Sequence, residues 1–208
     1  MKSVLCFGDS NTWGLIPGTH ERYAWGVRWT SLLQMKLNSA EFRVIEEGLC
    51  GRTTVFEDES RAGRAGNTTL PIILESHSPV SLVILMLGTN DCKAASDASV
   101  EQICAGINEL LDQISSCTKE CKVLLISPIE LGSDVWKPVY DPEFDQKSVE
   151  KSRQLGSAYE KIARRRNIGF MAASDYAKPS LADMVHMDEE GHRKFADAVW
   201  AKVIQLLA

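Results

Sequence analysis

Near its start the chain reads Ser3-Val4-Leu5-Cys6-Phe7-Gly8-Asp9-Ser10-Asn11-Thr12. A short apolar run that is rich in β-formers and ends at a glycine is typical of a buried strand, and the polar residues after it suit a turn into a helix. Ser10 would then lie at the carboxyl end of the first strand, where open α/β sheets bind their ligands. Taken alone, Ser10 is equally consistent with a serine that serves a turn or caps a helix.

Apolar runs and helical periods alternate along the whole chain. After the first strand, the predicted strands span residues 42–46, 82–87, 123–127 and 169–172, and the predicted helices span 26–37, 70–76, 100–116, 147–166 and a last segment that begins near 188. In the second helix, Asn67 or Thr68 is a candidate cap and Pro71 suits the first turn. This alternation indicates one domain over residues 1–208, a three-layer α/β/α sandwich around a flavodoxin-like parallel five-stranded sheet. Fold class favours the strand order 2-1-3-4-5.

The composition narrows the class of protein. Of the 208 residues, 44% are hydrophobic and 25% are charged, and the net charge of −5 argues against nucleic acid or an anionic membrane surface as the main partner. No apolar run reaches the ~18 residues of a membrane-spanning helix, and the first residues lack the long apolar region of a signal peptide. We therefore expect a cytoplasmic protein whose six cysteines are reduced thiols.

Polar residues follow four of the five predicted strands. Ser10 follows the first strand, Gly51 the second and Asn90 the third, and Asp183 and His186 follow the fifth. Because the carboxyl ends of parallel strands share one edge of a sheet, these residues are predicted to converge there.

Each of these residue types has a role in acyl transfer. A serine hydroxyl attacks an ester once a neighbouring base takes its proton, and His186 is the candidate base because histidine side chains in general can exchange a proton near neutral pH. Asp183, three residues earlier, can orient the imidazole. The N–H groups of Ser10 and Gly51 and the side-chain amide of Asn90 can bind the oxyanion that forms. The pattern predicts a catalytic triad of Ser10, Asp183 and His186 with an oxyanion hole.

Four short blocks carry a resemblance to a known family. They are Gly8-Asp9-Ser10, the glycine block at 48–51, Gly88-Thr89-Asn90-Asp91 and Asp183-x-x-His186, in this order across nearly the whole chain. The chain resembles the SGNH hydrolase superfamily, also called GDSL esterases/lipases, and the residues around the blocks are most similar to its bacterial arylesterase/acyltransferase branch. The resemblance implies the 2-1-3-4-5 sheet, the five site roles above, no metal and no cofactor. Since that branch is often oligomeric, it also implies a homo-oligomer.

The chain departs from the family pattern at four positions beside these blocks. Asn11 replaces the leucine of the GDSL name, Glu46 stands where asparagine is common, Cys50 where serine is common, and Met187 where proline is usual. None of these changes removes a catalytic group. Because Asn11 lies beside the nucleophile, we expect it to line the substrate pocket together with Trp13 and Trp136.

These residues predict a serine carboxylic ester hydrolase that acts on small-molecule acyl or aryl esters through an acyl-enzyme on Ser10. Three alternatives stay open: an acyltransferase that moves the acyl group to an alcohol, a carbohydrate or lipid esterase, and a flavodoxin-like binding module without catalysis. A metal cluster of Asp183, His186, Asp188 and His192 has poor ligand spacing. The substrate depends on loops 13–25, 56–66 and 130–146, which show no regular period.

Overall fold

The structure, a computed structural model, describes residues 1–58, 61–118 and 120–207, so residues 59 and 60 of the loop 56–66 lie outside the described residues. The described strands are β1 (Lys2–Gly8), β2 (Phe42–Gly48), β3 (Leu82–Met86), β4 (Lys122–Ser127) and β5 (Gly169–Ala172). The described helices are α1 (Ser10–Trp13), α2 (Trp29–Lys36), α3 (Gly66–Ser76), α4 (Val100–Cys117), α5 (Gln146–Arg166) and α6 (Glu189–Leu207). Short 3₁₀ turns lie at Asn90–Cys92, Ala94–Ser96 and Ala173–Asp175.

The five strands form one parallel sheet in the order β2-β1-β3-β4-β5, which confirms the predicted fold class and strand order. In the register of the sheet, Gly8 pairs with Gly48 on one side and with Met86 on the other. The carboxyl ends of β1, β2 and β3 are therefore level, and the segments that leave them start side by side.

The core lies in two layers, one on each face of the sheet. Along β1, Leu5 and Phe7 pack in the cluster that also holds the apolar faces of α3, α4 and α5, whereas Val4 and Cys6 pack with α2 and α6. This division follows from the strand period of two, which sends successive side chains to opposite faces. Because both faces of the sheet's centre are covered, the central strands β1, β3 and β4 contain continuous apolar runs, whereas the edge strand β2 carries Arg43 and Glu46.

Helix α3 begins at Gly66, four residues earlier than predicted, and Pro71 lies inside it and not in its first turn. The predicted side-chain cap at 67 or 68 is not made. The first N–H groups of the helix are instead bound by neighbouring backbone: Gly66 N donates to Thr53 O and Asn67 N donates to Thr54 O. A long-range contact of this kind satisfies a helix end without leaving a signal in the local sequence.

Helix α2 also differs from its prediction, since it begins at Trp29 and not near residue 26. Gly26 has a φ of +92°, a left-handed backbone angle that glycine adopts at low cost, and its N–H donates to the side chain of Ser31. The chain therefore turns at Gly26 and enters the helix three residues later.

His192 lies fully buried on α6, where this helix packs on α2. Its Nδ1 accepts a hydrogen bond from Trp29 N at 3.3 Å, and its ring lies edge-on to Tyr23 with the centroids 5.3 Å apart. Burial is the largest cause that lowers the pKa of His192, which falls to about 4. The imidazole is therefore neutral in the folded protein at neutral pH.

We expect His192 to make the protein less stable in acid. Between pH 6.5 and 4 the unfolded chain binds a proton at this residue and the folded chain does not, so stability falls as the pH falls through this range. The free energy of unfolding of the wild type, minus that of His192→Gln, should decrease by about 3 kcal/mol from pH 7 to pH 4. Urea unfolding at a series of pH values measures this difference, and a constant difference would contradict a neutral buried imidazole.

Candidate active site

Ser10 is the first residue of α1, a single turn of helix that starts directly after β1. Asp9 caps this turn: it is fully buried, and its Oδ1 accepts a hydrogen bond from Asn11 N at 2.9 Å. Gly14 ends the turn with a φ of +87° and donates its N–H to Ser10 O. The backbone around Ser10 is thus fixed at both ends of the turn.

The turn packs against the end of β2 with no space between the two backbones. A Cβ atom added at Gly48 would lie 2.2 Å from Trp13 N, and one added at Gly8 would lie 2.1 Å from the hydroxyl oxygen of Thr12. Only glycine permits backbone to approach backbone this closely. These two glycines therefore determine where Ser10 stands relative to the sheet.

A continuous chain of hydrogen bonds joins the three predicted triad residues. Ser10 Oγ lies 2.8 Å from His186 Nε2, and His186 Nδ1 lies 2.7 Å from Asp183 Oδ2. The loop between β5 and α6 supplies both Asp183 and His186, so the structure brings together residues 176 positions apart in the sequence. The sequence predicted this convergence at the carboxyl edge of the sheet.

The charge of Asp183 determines which ring nitrogen of His186 carries the proton. Burial raises the pKa of its carboxyl, but the hydrogen bond and charge of His186, together with two backbone N–H groups, lower it by more, so the net pKa lies below the ordinary value. An ionised carboxylate can only accept, so the proton of the imidazole lies on His186 Nδ1. Nε2 is left as an acceptor for the hydroxyl proton of Ser10.

Asp183 also organises its surroundings through the backbone. Its Oδ1 accepts from Val185 N and His186 N, each at 2.9 Å, and its Oδ2 accepts from Gly18 N at 2.9 Å as well as from the imidazole. The Asp183 carboxylate thus holds the conformation of its own loop and also binds Gly18, in the segment after α1, to that loop.

Ser10, Gly51 and Asn90 line the same cleft as the triad. Gly51 has a φ of +81°, and the Asn90 amide nitrogen donates to Arg52 O at 3.1 Å, which fixes the direction of that amide. The Ser10 N–H is at the first turn of a helix, where backbone N–H groups have no partner within the helix. Ser10, Gly51 and Asn90 therefore border one cleft, and their role as oxyanion donors stays a prediction of the sequence.

Arg52 supports this arrangement, although the sequence analysis did not single it out. Its guanidinium is buried, donates to Gly8 O at 2.9 Å and to Glu47 O, and lies 4.0 Å from the ring centroid of Phe7. Burial is the main cause that lowers its pKa, to about 10, so it keeps its charge at neutral pH. Arg52 joins the ends of β1 and β2 with its side chain while its carbonyl holds Asn90.

The cleft above Ser10 has a volume of about 720 Å³ and is open to solvent. Among the residues that line it, outside the triad and the three donors, are Trp13, His20, Cys50, Arg61, Lys93, Tyr140, Asp141, Glu143 and Phe144. Lys93 forms an ion pair with Glu143 at 2.7 Å, and Arg61 donates to the carbonyl of Cys50. The cleft therefore carries charged groups of both signs beside apolar side chains such as Leu15, Leu49 and Phe144.

Of the three predicted pocket residues, the structure places only Trp13 in the wall of the cleft. Arg22 lies over its ring, with the guanidinium carbon 5.3 Å from the ring centroid. Asn11 is 2% exposed and its side chain bonds to backbone beneath the site. Trp136 lies outside the cleft, where its indole N–H donates to Ser133 O within its own loop.

A known protein family and several solved structures are similar to this chain. The sequence pattern of the GDSL-like lipase/acylhydrolase family matches residues 6–194. No curated protein sequence matches the chain. Among solved structures, the chain is similar to Est24, a carbohydrate acetylesterase from Sinorhizobium meliloti, with 35% identity, a TM-score of 0.91 and coverage of 99% of this chain and 100% of that one.

Two further solved structures are similar over their full length. The native aryl esterase of M. smegmatis has 33% identity and a TM-score of 0.90, with 99% of this chain and 100% of that chain covered. A carbohydrate acetylesterase family member from Sinorhizobium meliloti has 32% identity and a TM-score of 0.89, with 100% and 99% covered.

Proposed function

Since the chain belongs to the GDSL-like lipase/acylhydrolase family and is a serine carboxylic ester hydrolase of small-molecule esters, we propose that Ser10 is its nucleophile, His186 its general base and Asp183 the group that orients the base. The observation that carries this proposal is the unbroken hydrogen-bond chain from Ser10 Oγ through both ring nitrogens of His186 to Asp183.

Acylation follows from this chain of contacts. Ser10 Oγ attacks the ester carbonyl carbon while its proton passes to His186 Nε2. The imidazolium that forms is stabilised by the ionised Asp183 and then gives the proton to the leaving alcohol as the C–O bond breaks. Water attacks the resulting acyl-enzyme by the same route, which releases the acid and restores the Ser10 hydroxyl.

The oxyanion of each tetrahedral intermediate is proposed to be bound by Ser10 N–H, Gly51 N–H and the Asn90 amide. Two of these donors, Ser10 N–H and the Asn90 amide, are fixed before substrate arrives, because α1 is capped by Asp9 and the Asn90 amide is bonded to Arg52 O. Donors placed in advance require no reorganisation during the reaction, and each is worth about 3 kcal/mol in comparable enzymes.

The similar proteins support small acyl and aryl esters as substrates. They are an aryl esterase and two carbohydrate acetylesterases. Because the cleft is open to solvent and is lined in part by the charged residues Lys93, Glu143 and Arg61, water can reach the acyl-enzyme. We therefore propose hydrolysis as the main outcome, with transfer to an alcohol as the minor one.

Covalent labelling tests the assignment of the nucleophile. A p-nitrophenyl alkylphosphonate should add one phosphonyl group per chain, on the peptide that contains Ser10, and activity should fall in parallel with labelling. An excess of a slowly hydrolysed aryl ester should protect against both. Cys50 and Tyr140 also line the cleft and serve as internal controls. A label on either of them, with Ser10 unmodified, would contradict the proposal.

Three further statements stay predictions of the sequence: one domain over residues 1–208, a cytoplasmic location and a homo-oligomer. Within residues 1–58, 61–118 and 120–207, no helix is long and apolar enough to cross a membrane.

A further inference from the structure

The side chain of Asn11 bonds to the backbone on both sides of His186. Asn11 Nδ2 donates to Val185 O at 3.3 Å, and Asn11 Oδ1 accepts from Met187 N at 3.0 Å. These two residues flank the proposed base, while Asn11 itself directly follows the proposed nucleophile, Ser10. The carboxamide therefore bridges the two segments that must meet for the reaction.

The carboxamide of Asn11 supplies both groups that the two partners require. Met187 N–H can only donate and Val185 C=O can only accept, so the site requires one acceptor and one donor on the same short side chain. Aspartate would lack the donor, and leucine would lack both. The backbone of Asn11 is held as well, because its N–H donates to Asp9 Oδ1 and its carbonyl accepts from Trp29 Nε1 at 3.1 Å.

Other hydrogen bonds shape the loop of His186 from within. Ser180 N donates to His186 O at 2.7 Å, Met184 N donates to Ser180 O at 2.8 Å, and the Asp183 carboxylate binds two N–H groups of the loop. These bonds set the fold of the loop. Its position is set by the two Asn11 bonds, which reach it from α1, together with the Gly18 N–H on Asp183 Oδ2 and the Gly132 N–H on Met184 O. The conformation of the His186 loop is thus held by one set of bonds, and the distance from His186 Nε2 to Ser10 Oγ depends on another.

We propose that Asn11 is a positioning residue for ester hydrolysis, which holds His186 Nε2 within hydrogen-bond distance of Ser10 Oγ by bonding to the residues on either side of it. This inference rests on the proposed roles of Ser10 and His186. It differs from the sequence-based expectation that Asn11 shapes the pocket, since a pocket residue would act on substrate affinity and a positioning residue acts on the rate.

The first test separates these effects with Asn11→Ala and a matched control. We expect kcat for an aryl ester to fall about 10- to 100-fold, because a displacement of the base by even 1 Å costs rate, while KM stays near the wild-type value. Gln34→Ala is the control: Gln34 likewise uses one carboxamide to bind Phe42 O and Val44 N, but at the opposite end of the sheet. That variant should lose stability and keep wild-type kcat.

The second test asks whether Asn11 acts through His186. In a His186→Ala background, adding Asn11→Ala should reduce the residual rate no further, since there is no base left to position. Phosphonylation of Ser10 by the alkylphosphonate should show the same lack of additivity. A side chain with only a general structural role would instead reduce the rate by the same factor in both backgrounds.

The outcomes separate this inference from the proposed function. Full activity in His186→Ala would reject the assigned base, and with it the proposed function. A large loss in His186→Ala combined with wild-type kcat in Asn11→Ala would overturn only the role of Asn11, as would equal factors in both backgrounds. If Asn11→Ala does not fold, Asn11→Leu fills a similar volume without either hydrogen bond, and the same outcomes apply to it.

Discussion

Ester turnover in the Ser10→Ala variant is expected to fall by at least about 10⁴-fold. The activity that remains would come from substrate binding and the oxyanion donors alone. The change removes one oxygen atom whose hydrogen bond is to His186 Nε2, and it leaves the cap by Asp9 and the Gly14 contact in place. The fold and the free energy of unfolding should therefore stay close to wild type. Initial rates with an aryl ester, measured beside circular dichroism and thermal unfolding, check both parts.

Ser127→Ala is a matched control for this variant. Ser127 is also a buried serine at the carboxyl end of a strand, β4, and its hydroxyl makes no hydrogen bond among the described residues. Because removal of an unpaired buried hydroxyl has little cost, this variant should keep both activity and stability. Wild-type turnover in Ser10→Ala, or an equal loss in Ser127→Ala, would contradict Ser10 as the nucleophile.

The Asp183→Asn variant is expected to lose about 10⁴-fold in kcat at neutral pH, because the new amide changes which nitrogen of His186 carries the proton. With its NH₂ toward His186 Nδ1, the amide requires that nitrogen to accept, and the proton moves to Nε2. An Nε2 that already carries a proton cannot take one from Ser10. This orientation turns the NH₂ toward one backbone donor, Gly18 N–H, whereas the opposite one would direct it at two, those of Val185 and His186.

The measurement is again kcat for an aryl ester, together with the rate of Ser10 phosphonylation, which should fall with it. Asp188→Asn supplies the control, since Asp188 lies five residues further along the same segment and accepts from Gly191 N at the start of α6. Asparagine caps a helix about as well as aspartate, so this variant should keep its activity. A rate in Asp183→Asn close to that of Asp188→Asn would reject Asp183 as the orienting group.

The sequence predicted the sheet and the meeting of Ser10, Asp183 and His186 because both follow from general rules of chain geometry. Continuous apolar runs indicate strands covered on both faces, and parallel strands end at one edge. Residues that follow those ends are brought together whatever the details of the loops. The start of α3 escaped prediction because its N–H groups bind the distant backbone of Thr53 and Thr54, which no local pattern reveals.

The roles of Asn11 and Arg52 escaped prediction for a related reason. Asn11 was placed in the pocket because it adjoins Ser10, but successive residues in a helical turn point about 100° apart, so a neighbour of the nucleophile faces another direction. Its partners lie 174 and 176 residues away. In the sequence, Arg52 resembles an ordinary polar residue in a glycine-rich turn. Only the folded structure shows that its guanidinium binds the carbonyls at the ends of β1 and β2. Trp136 belongs to a loop whose sequence has neither a helical nor a strand period, so the direction of its side chain could not be predicted.

The close contact of α1 with β2 at Gly8 and Gly48 has a consequence for engineering a broader range of substrates. Randomised libraries that include these two positions would consist mostly of inactive clones, since any side chain there collides with the backbone or with Thr12 and pushes Ser10 out of place. Randomisation is better directed at positions that border the cleft, such as Arg61 and Tyr140 in the loops and Trp13 at the end of α1. The part of the sequence that is most recognisable is thus the part that tolerates least change, and the freedom to evolve new substrates lies in the loops around it.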